Sequence, residues 1–274
     1  MRALVLGGGG VTGIAWETGM LLGLERAGVG LRDADLVIGT SAGSAVGAQV
    51  AGSRSLDDLY AAQLTSDASE LPARIGGAAL LRYVIAGLDP NRKRGLTRLG
   101  RQAREARTAT AEERRAVIEK RILVDEWPER RLLIPATDAE SGEQRVFDRD
   151  SGVSLIDAVA ASCAVPLVWP PVRVDGHLYY DGGFPYAANV QLAAGADIVV
   201  VLAPVTAGIA PGSSIAAQVR ALGAGPRTLV ISPDAAAKKA IGRNSLDPAA
   251  RRPSAEAGLA QASRALDSVR EIWG

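Results

Sequence analysis

Ser41 sits in Gly39-Thr40-Ser41-Ala42-Gly43, a G-x-S-x-G pentapeptide between a predicted strand (35–38) and a predicted helix of small residues (42–52). In that context the flanking glycines permit a sharp turn that lifts the hydroxyl above the strand's carboxyl end. The helix that follows aims the positive end of its dipole at the oxygen. The chemistry this suits is nucleophilic attack; a plain N-capping serine is the alternative. An attacking hydroxyl needs a base. The single histidine, His177, lies beside the Asp175-Gly176 turn, where histidines are usually just solvated, so a carboxylate acting directly is the other option. Asp181, in Tyr179-Tyr180-Asp181-Gly182-Gly183, follows an apolar strand and precedes two glycines. That sets a carboxylate at a strand end with open backbone around it, although an ordinary Asp-Gly turn has the same residues.

A second stretch, Gly8-x-Gly10-x-x-Gly13, follows a predicted strand (2–6) and a glycine loop (7–13) leads into a helix predicted over 14–27 that stops at Gly28. Glycines there let backbone N–H groups approach an anion at a helix N-terminus. A dinucleotide site also requires an acid at the end of the next strand. Here Asp33 and Asp35 precede that strand and Thr40-Ser41 end it, which argues against NAD or FAD. No Lys-Ser or Lys-Thr follows, which excludes a P-loop. A tight turn that needs glycine for positive φ is the purely structural alternative. Cys163, the single cysteine, reads as a small buried residue near the end of a helix (155–163), and its solitude excludes an intrachain disulfide. One histidine and one cysteine leave little for a metal, so neither metal nor cofactor is expected.

The elements that must hold these residues follow from hydrophobic patterning. Strands are expected at 2–6, 35–38, 131–137, 144–147, 197–202 and 227–231, the last two as buried strands. Residues 172–180 read as a hairpin turning at Asp175-Gly176 in type I′ geometry. A C-terminal helix over 254–273 carries Leu259, Ala262, Leu266, Val269 and Trp273 on one face. Strand signals vanish between 53 and 127, where helical stretches dominate. Alternating strands and helices point to an α/β fold, a three-layer α/β/α sandwich with a mostly parallel sheet. One domain over 1–274 is expected, with the helical insertion at about 53–127. The balance of 31 Lys+Arg against 30 Asp+Glu argues against a nucleic-acid partner. The N-terminus lacks a signal peptide's pattern and no apolar run is long enough to cross a bilayer, so the expected address is cytoplasmic.

These pieces, in this order, resemble the patatin-like phospholipases. Four blocks carry the resemblance: Gly8-Gly9-Gly10-Val11-Thr12-Gly13; the Ser41 pentapeptide; Ala161-Ser162-Cys163-Ala164-Val165-Pro166 with Trp169-Pro170-Pro171-Val172; and Tyr180-Asp181-Gly182-Gly183 with Asn189-Val190. The resemblance implies a Ser–Asp dyad without histidine: Ser41 the nucleophile, Asp181 its general base, and backbone N–H groups of Gly8, Gly9 and Gly10 the oxyanion hole. The implied activity is lipid acyl-ester hydrolysis of the phospholipase A or lysophospholipase kind, with a lipid or acyl-ester substrate and peripheral membrane contact. One departure stands out. The family loop usually carries Arg or Lys where this chain has Thr12, which puts activity on anionic phospholipids in question and keeps open a catalytically weak or inactive lipid-binding relative. Two features of the insertion have a functional and a plain reading. The basic segment 92–121 suits an anionic lipid surface or a merely solvated helix face. The apolar stretch 76–88 suits a lid over an acyl pocket or core.

Overall fold

The protein, seen in a computed structural model, is described here over residues 1–65, 70–122, 124 and 126–274. Strand β1 (Arg2–Leu6) is apolar without alternation because both its faces are covered. Leu4 and Leu6 enter a large core on one face, while Ala3 and Val5 enter a smaller core on the other. In chain order the remaining strands are β2 (Leu36–Gly39), β3 (Arg131–Asp138), β4 (Gln144–Phe147), β5 (Val172–Val174), β6 (His177–Asp181), β7 (Ile198–Leu202) and β8 (Arg227–Ile231). They form one mixed sheet in the order β5-β6-β3-β2-β1-β7-β8, with β4 also paired to β3. The contacts among β3, β2, β1, β7 and β8 are parallel, and those of β4, β5 and β6 antiparallel. The α/β architecture with a mostly parallel sheet flanked by helices is therefore the one expected.

Four helices do most of the covering on the larger core: α1 (Gly10–Arg26), α2 (Ala42–Ala51), α7 (Leu155–Ser162) and the C-terminal α10 (Arg251–Trp273). Helices α1 and α10 lie almost backbone to backbone. A Cβ on Gly19 would stand 2.1 Å from the Ala255 carbonyl oxygen, and one on Gly258 would stand 2.2 Å from that of Trp16. On the opposite face a 3₁₀ turn (Val190–Ala193) and α8 (Ile215–Ala221) close the smaller core, and α9 (Ala235–Ile241) precedes α10. Between α2 and β3 stand α3 (Leu56–Leu64), α4 (Gly77–Gly87), α5 (Arg92–Glu105) and α6 (Ala111–Ile122), the helical stretch expected from the sequence.

Two expectations are corrected. Helix α1 starts at Gly10 rather than at 14, since the Gly13 N–H already closes a helical turn on the Gly9 carbonyl at 2.9 Å and the Thr12 N–H is satisfied by the Ser245 carbonyl at 3.2 Å. Strand β8 is not buried. It is the last strand of the sheet, and only Ile231 of its five residues lies inside. The hairpin does turn at Asp175 and Gly176, both with positive φ, as type I′ requires. Gly28, at φ +86, lies just beyond the end of α1, where the Val29 N–H returns to the Leu24 carbonyl.

Within α1, Glu17 is fully buried, and neither carboxyl oxygen has a hydrogen-bond partner among the described residues. Burial holds this carboxyl well above the ordinary glutamate range. The folded chain thus keeps a proton that the unfolded chain releases above about pH 4.5. The stabilisation linked to that proton is complete below that pH and is lost as pH rises, at about 1.4 kcal/mol per pH unit while Glu17 stays protonated. Glu17→Gln should therefore flatten the fall in stability between pH 5 and pH 8, read by urea unfolding. Equal slopes in variant and wild type would contradict this account.

Candidate active site

Ser41 is held in the corner between β2 and α2 at φ 53 and ψ −117, a conformation that β-carbon residues rarely adopt. The surroundings fix it there. Its carbonyl oxygen accepts from the Ser44 N–H (2.9 Å), the Ser44 hydroxyl (2.7 Å) and the Cys163 thiol (3.1 Å). Its own N–H donates to Ser162 Oγ at 3.0 Å. Gly43 is required for packing: a Cβ there would come within 2.1 Å of the Leu6 carbonyl oxygen of β1. Strand, turn and helix thus lock the serine with its hydroxyl directed away from its own backbone bonds.

Asp181 reaches the same place from the antiparallel half of the sheet. Strand β6 pairs with β3 so that Asp181 stands opposite Ala136, and the chain then turns through two glycines. A Cβ on Gly182 would lie 2.0 Å from the Pro135 carbonyl oxygen, and one on Gly183 would lie 2.9 Å from Asp181 Oδ1. Asp181 Oδ1 accepts the Gly183 N–H at 2.7 Å, and Oδ2 accepts the Ser41 hydroxyl at 2.6 Å. Asn189 ties the two halves together. Its Nδ2 donates to Thr40 Oγ1 and to the Gly182 carbonyl, both at 3.0 Å. Ser41 and Asp181 are both buried. Desolvation pushes the Asp181 carboxyl up to about 7, against the opposing pull of the Ser41 hydroxyl, the Gly183 N–H and the Arg114 charge.

The glycine loop lies across from Ser41, with the Cβ position of Gly8 only 3.6 Å from the serine Cβ. Of the three N–H groups expected to face an oxyanion, that of Gly8 is already committed, donating to the Ala187 carbonyl at 2.7 Å. Among the described residues no acceptor takes the N–H of Gly9 or Gly10. Thr12 is also redirected. It is fully buried, and its hydroxyl goes to the Ser245 and Gly9 carbonyls at 3.2 and 3.3 Å. His177 stays at the exposed hairpin, its Nδ1 3.3 Å from Asp138 Oδ2. Cys163 is buried against the elbow, its thiol pushed up by desolvation.

Ser41 opens on a small cavity of about 20 Å³, room for a water molecule, that is also lined by Gly10, Val11, Ala42, Arg114, Arg121 and Trp169. A group larger than water reaches Ser41 only if these side chains move outward. A second cavity of about 250 Å³ lies next to it and shares Val11, Ile14, Glu70 and Arg121. The buried Glu70–Arg121 pair, 2.7 Å apart, belongs to the walls of both. Arg114 and Arg121, which the sequence shows only as part of a basic segment, thus join the site as candidates by position. Their spacing held the signal: on α6 they share a face with buried Val117 and Ile118, so the i, i+3, i+4, i+7 stripe includes two arginines. Elsewhere in that segment Arg94 and Arg98 both pair with Asp89.

A family model described as "Patatin-like phospholipase" matches residues 4–194. Curated proteins give no match. Among solved structures, VipD from Legionella pneumophila is similar at 15% identity with a TM-score of 0.47, covering 97% of this chain and 67% of that one. The type III effector protein ExoU is similar at 15% identity with a TM-score of 0.37, and this chain, 96% covered, spans 53% of its length.

Proposed function

The chain belongs to the patatin-like phospholipase family, and from that premise we propose that it is a serine hydrolase of lipid acyl esters working through a Ser41–Asp181 dyad. The observation that supports this most is the buried 2.6 Å hydrogen bond from Ser41 Oγ to Asp181 Oδ2, set at a cavity into which two helices begin. In this reading Ser41 Oγ attacks the ester carbonyl carbon and its proton passes to Asp181 Oδ2. The oxyanion is taken by the N–H groups of Gly9 and Gly10, with the N-terminus of α1 behind them. Asp181 then protonates the departing alkoxide, and the acyl-enzyme forms. Water, deprotonated by the same carboxylate, releases the fatty acid and restores the serine. A carboxyl held near 7 suits a group that must both take and return a proton close to neutral pH.

The outer face of α4 fits work at a lipid surface. Leu80, Leu81, Val84, Ile85 and Leu88 are each 45–64% exposed, with the Arg82 side chain among them. The inner face is anchored beside the dyad: Tyr83 donates to the Pro166 carbonyl at 2.5 Å and stacks edge-on with Phe184 at 5.0 Å. Segment 76–88 is thus divided between core and an apolar outer face, and that face meets the bilayer surface in this reading. No described helix is long and apolar enough to cross a membrane.

Labelling with a fluorophosphonate tests the nucleophile. The expected result is one covalent adduct per chain, mapped to Ser41 by peptide mass and absent in Ser41→Ala, together with turnover of a p-nitrophenyl ester series. An unlabelled wild type with no turnover would overturn the hydrolase and leave a lipid-binding protein.

A further inference from the structure

The two arginines that line the Ser41 cavity are held differently. Arg121 is bound to Glu70 through Nη2 at 2.7 Å and Nε at 3.2 Å. Arg114 is 5% exposed and lies over the Trp169 ring, its guanidinium carbon 4.2 Å from the ring centre. No ion pair reaches it among the described residues, and its solvent-excluded Nε and Nη1 have no hydrogen-bond partner there. The carboxylates whose charge it feels are committed elsewhere, Glu70 to Arg121 and Asp181 to Ser41 and Gly183. Burial, with the Arg121 charge beside it, pushes its guanidinium down to about 9. A buried cation without an acceptor is costly unless an anion joins it. The first residues of α1 and α2 line the same cavity, so an anion admitted by outward movement of its side chains meets two helix N-termini beside Arg114.

We propose that Arg114 is the anion-recognition residue of this site and binds the phosphodiester of a glycerophospholipid whose acyl ester lies at Ser41. The assignment rests on the acyl-hydrolase reading above. In such a lipid the carbon bearing the phosphate is the neighbour of the carbon bearing the central ester, so one site serves both groups once the side chains that close the cavity of about 20 Å³ have moved outward. A planar guanidinium presents parallel N–H groups that match two phosphate oxygens, and Trp169 fixes its plane from behind. The glycine loop supplies no cation, since the residue there is Thr12 and its hydroxyl is spent on carbonyls. Arg114 brings the charge from a different element, helix α6.

The test compares phosphatidylcholine with diacylglycerol in the same mixed micelles, using the full chain and the variants Arg114→Gln and Arg114→Lys. The readout is the ratio of kcat/KM for the phospholipid to that for the neutral lipid. Arg114→Gln should lower this ratio about 50-fold, the size of a lost charge-assisted pair. Arg114→Lys, which keeps the charge and loses the fork, should lower it about tenfold, and it carries the test alone if the glutamine variant does not fold. An unchanged ratio overturns the assignment, whatever the common loss of rate. Inhibition by inorganic phosphate with an unchanged lipid ratio would assign the site to free phosphate and likewise overturn it. If the wild type hydrolyses neither lipid, the acyl-hydrolase reading falls by itself. Binding of a non-hydrolysable dialkyl ether phosphatidylcholine then decides the role of Arg114: binding at least about tenfold weaker in Arg114→Gln supports the assignment, and equal binding overturns it.

Discussion

Asp181→Asn should lower kcat/KM on a short-chain ester by about a thousandfold or more, the loss that follows when a positioned general base is removed. The asparagine is nearly isosteric and can still meet the Ser41 hydroxyl and the Gly183 N–H, so the elbow keeps its shape. It cannot accept the proton. The pH dependence is the sharper signature. Burial lifts the wild-type carboxyl from its ordinary value of 3.8 to about 7. Only the ionised form is a base, so kcat/KM should rise about tenfold per pH unit below that point and level off above it. Stability should run the opposite way. The folded chain holds a proton on Asp181 that the unfolded chain releases above 3.8, so this contribution is complete below pH 3.8 and lost as pH rises through 7. Asp181→Asn should thus be inactive yet more resistant to urea than the wild type at pH 8. An unchanged rate profile in the variant would remove Asp181 from the chemistry.

Charging the outer face of α4 should have the second-largest effect. Leu81 is 60% exposed and Ile85 46%, one helical turn apart. Side chains of this exposure each contribute about 1 kcal/mol on entering lipid, and a buried charge opposes entry further. The double variant Leu81→Asp, Ile85→Asp should therefore bind phospholipid vesicles about 100-fold more weakly in a sedimentation assay. Its loss of rate on vesicles should exceed its loss on a water-soluble ester by a similar factor. Equal losses on the two substrates would mean that α4 shapes the cavity rather than docking the chain on a surface.

The parts of the site that were legible in the sequence are those fixed by strand ends. Ser41 and Asp181 each stand where an apolar run stops against glycines, and a run that short and that apolar has few ways to pack. The pairing itself was not legible. It depends on β6 lying antiparallel to β3 while β2 lies parallel to it, which is a property of the whole sheet. The commitment of the Gly8 N–H was hidden for a similar reason, since its acceptor, Ala187, is nearly 180 residues away. The strand at 227–231 looked buried because Leu229, Val230 and Ile231 are apolar, but composition does not reveal which strand closes a sheet. Arg114 was obscured by its neighbours. Arg115 beside it meets Asp157 and Glu119 near the surface, and only the helical phase separates the two.

Strand β1 has its hydrogen-bonding partners far apart in the chain: Leu4 lies between Val37 on one side and Val200 on the other. During synthesis, the centre of the sheet has an open edge until β7 has left the ribosome. The stretch matched by the family model ends at residue 194, before β7 begins, and so leaves that edge uncovered. Helix α1 waits for α10 in the same way, with Trp16 and Met20 bare in the interval. Closing contacts this distant in sequence slows folding and prolongs the exposure of unpaired strand and apolar helix. The Ser41 turn follows α1 and β2 in the chain, so the helix ahead of it reaches its packed state only after α10 has been made.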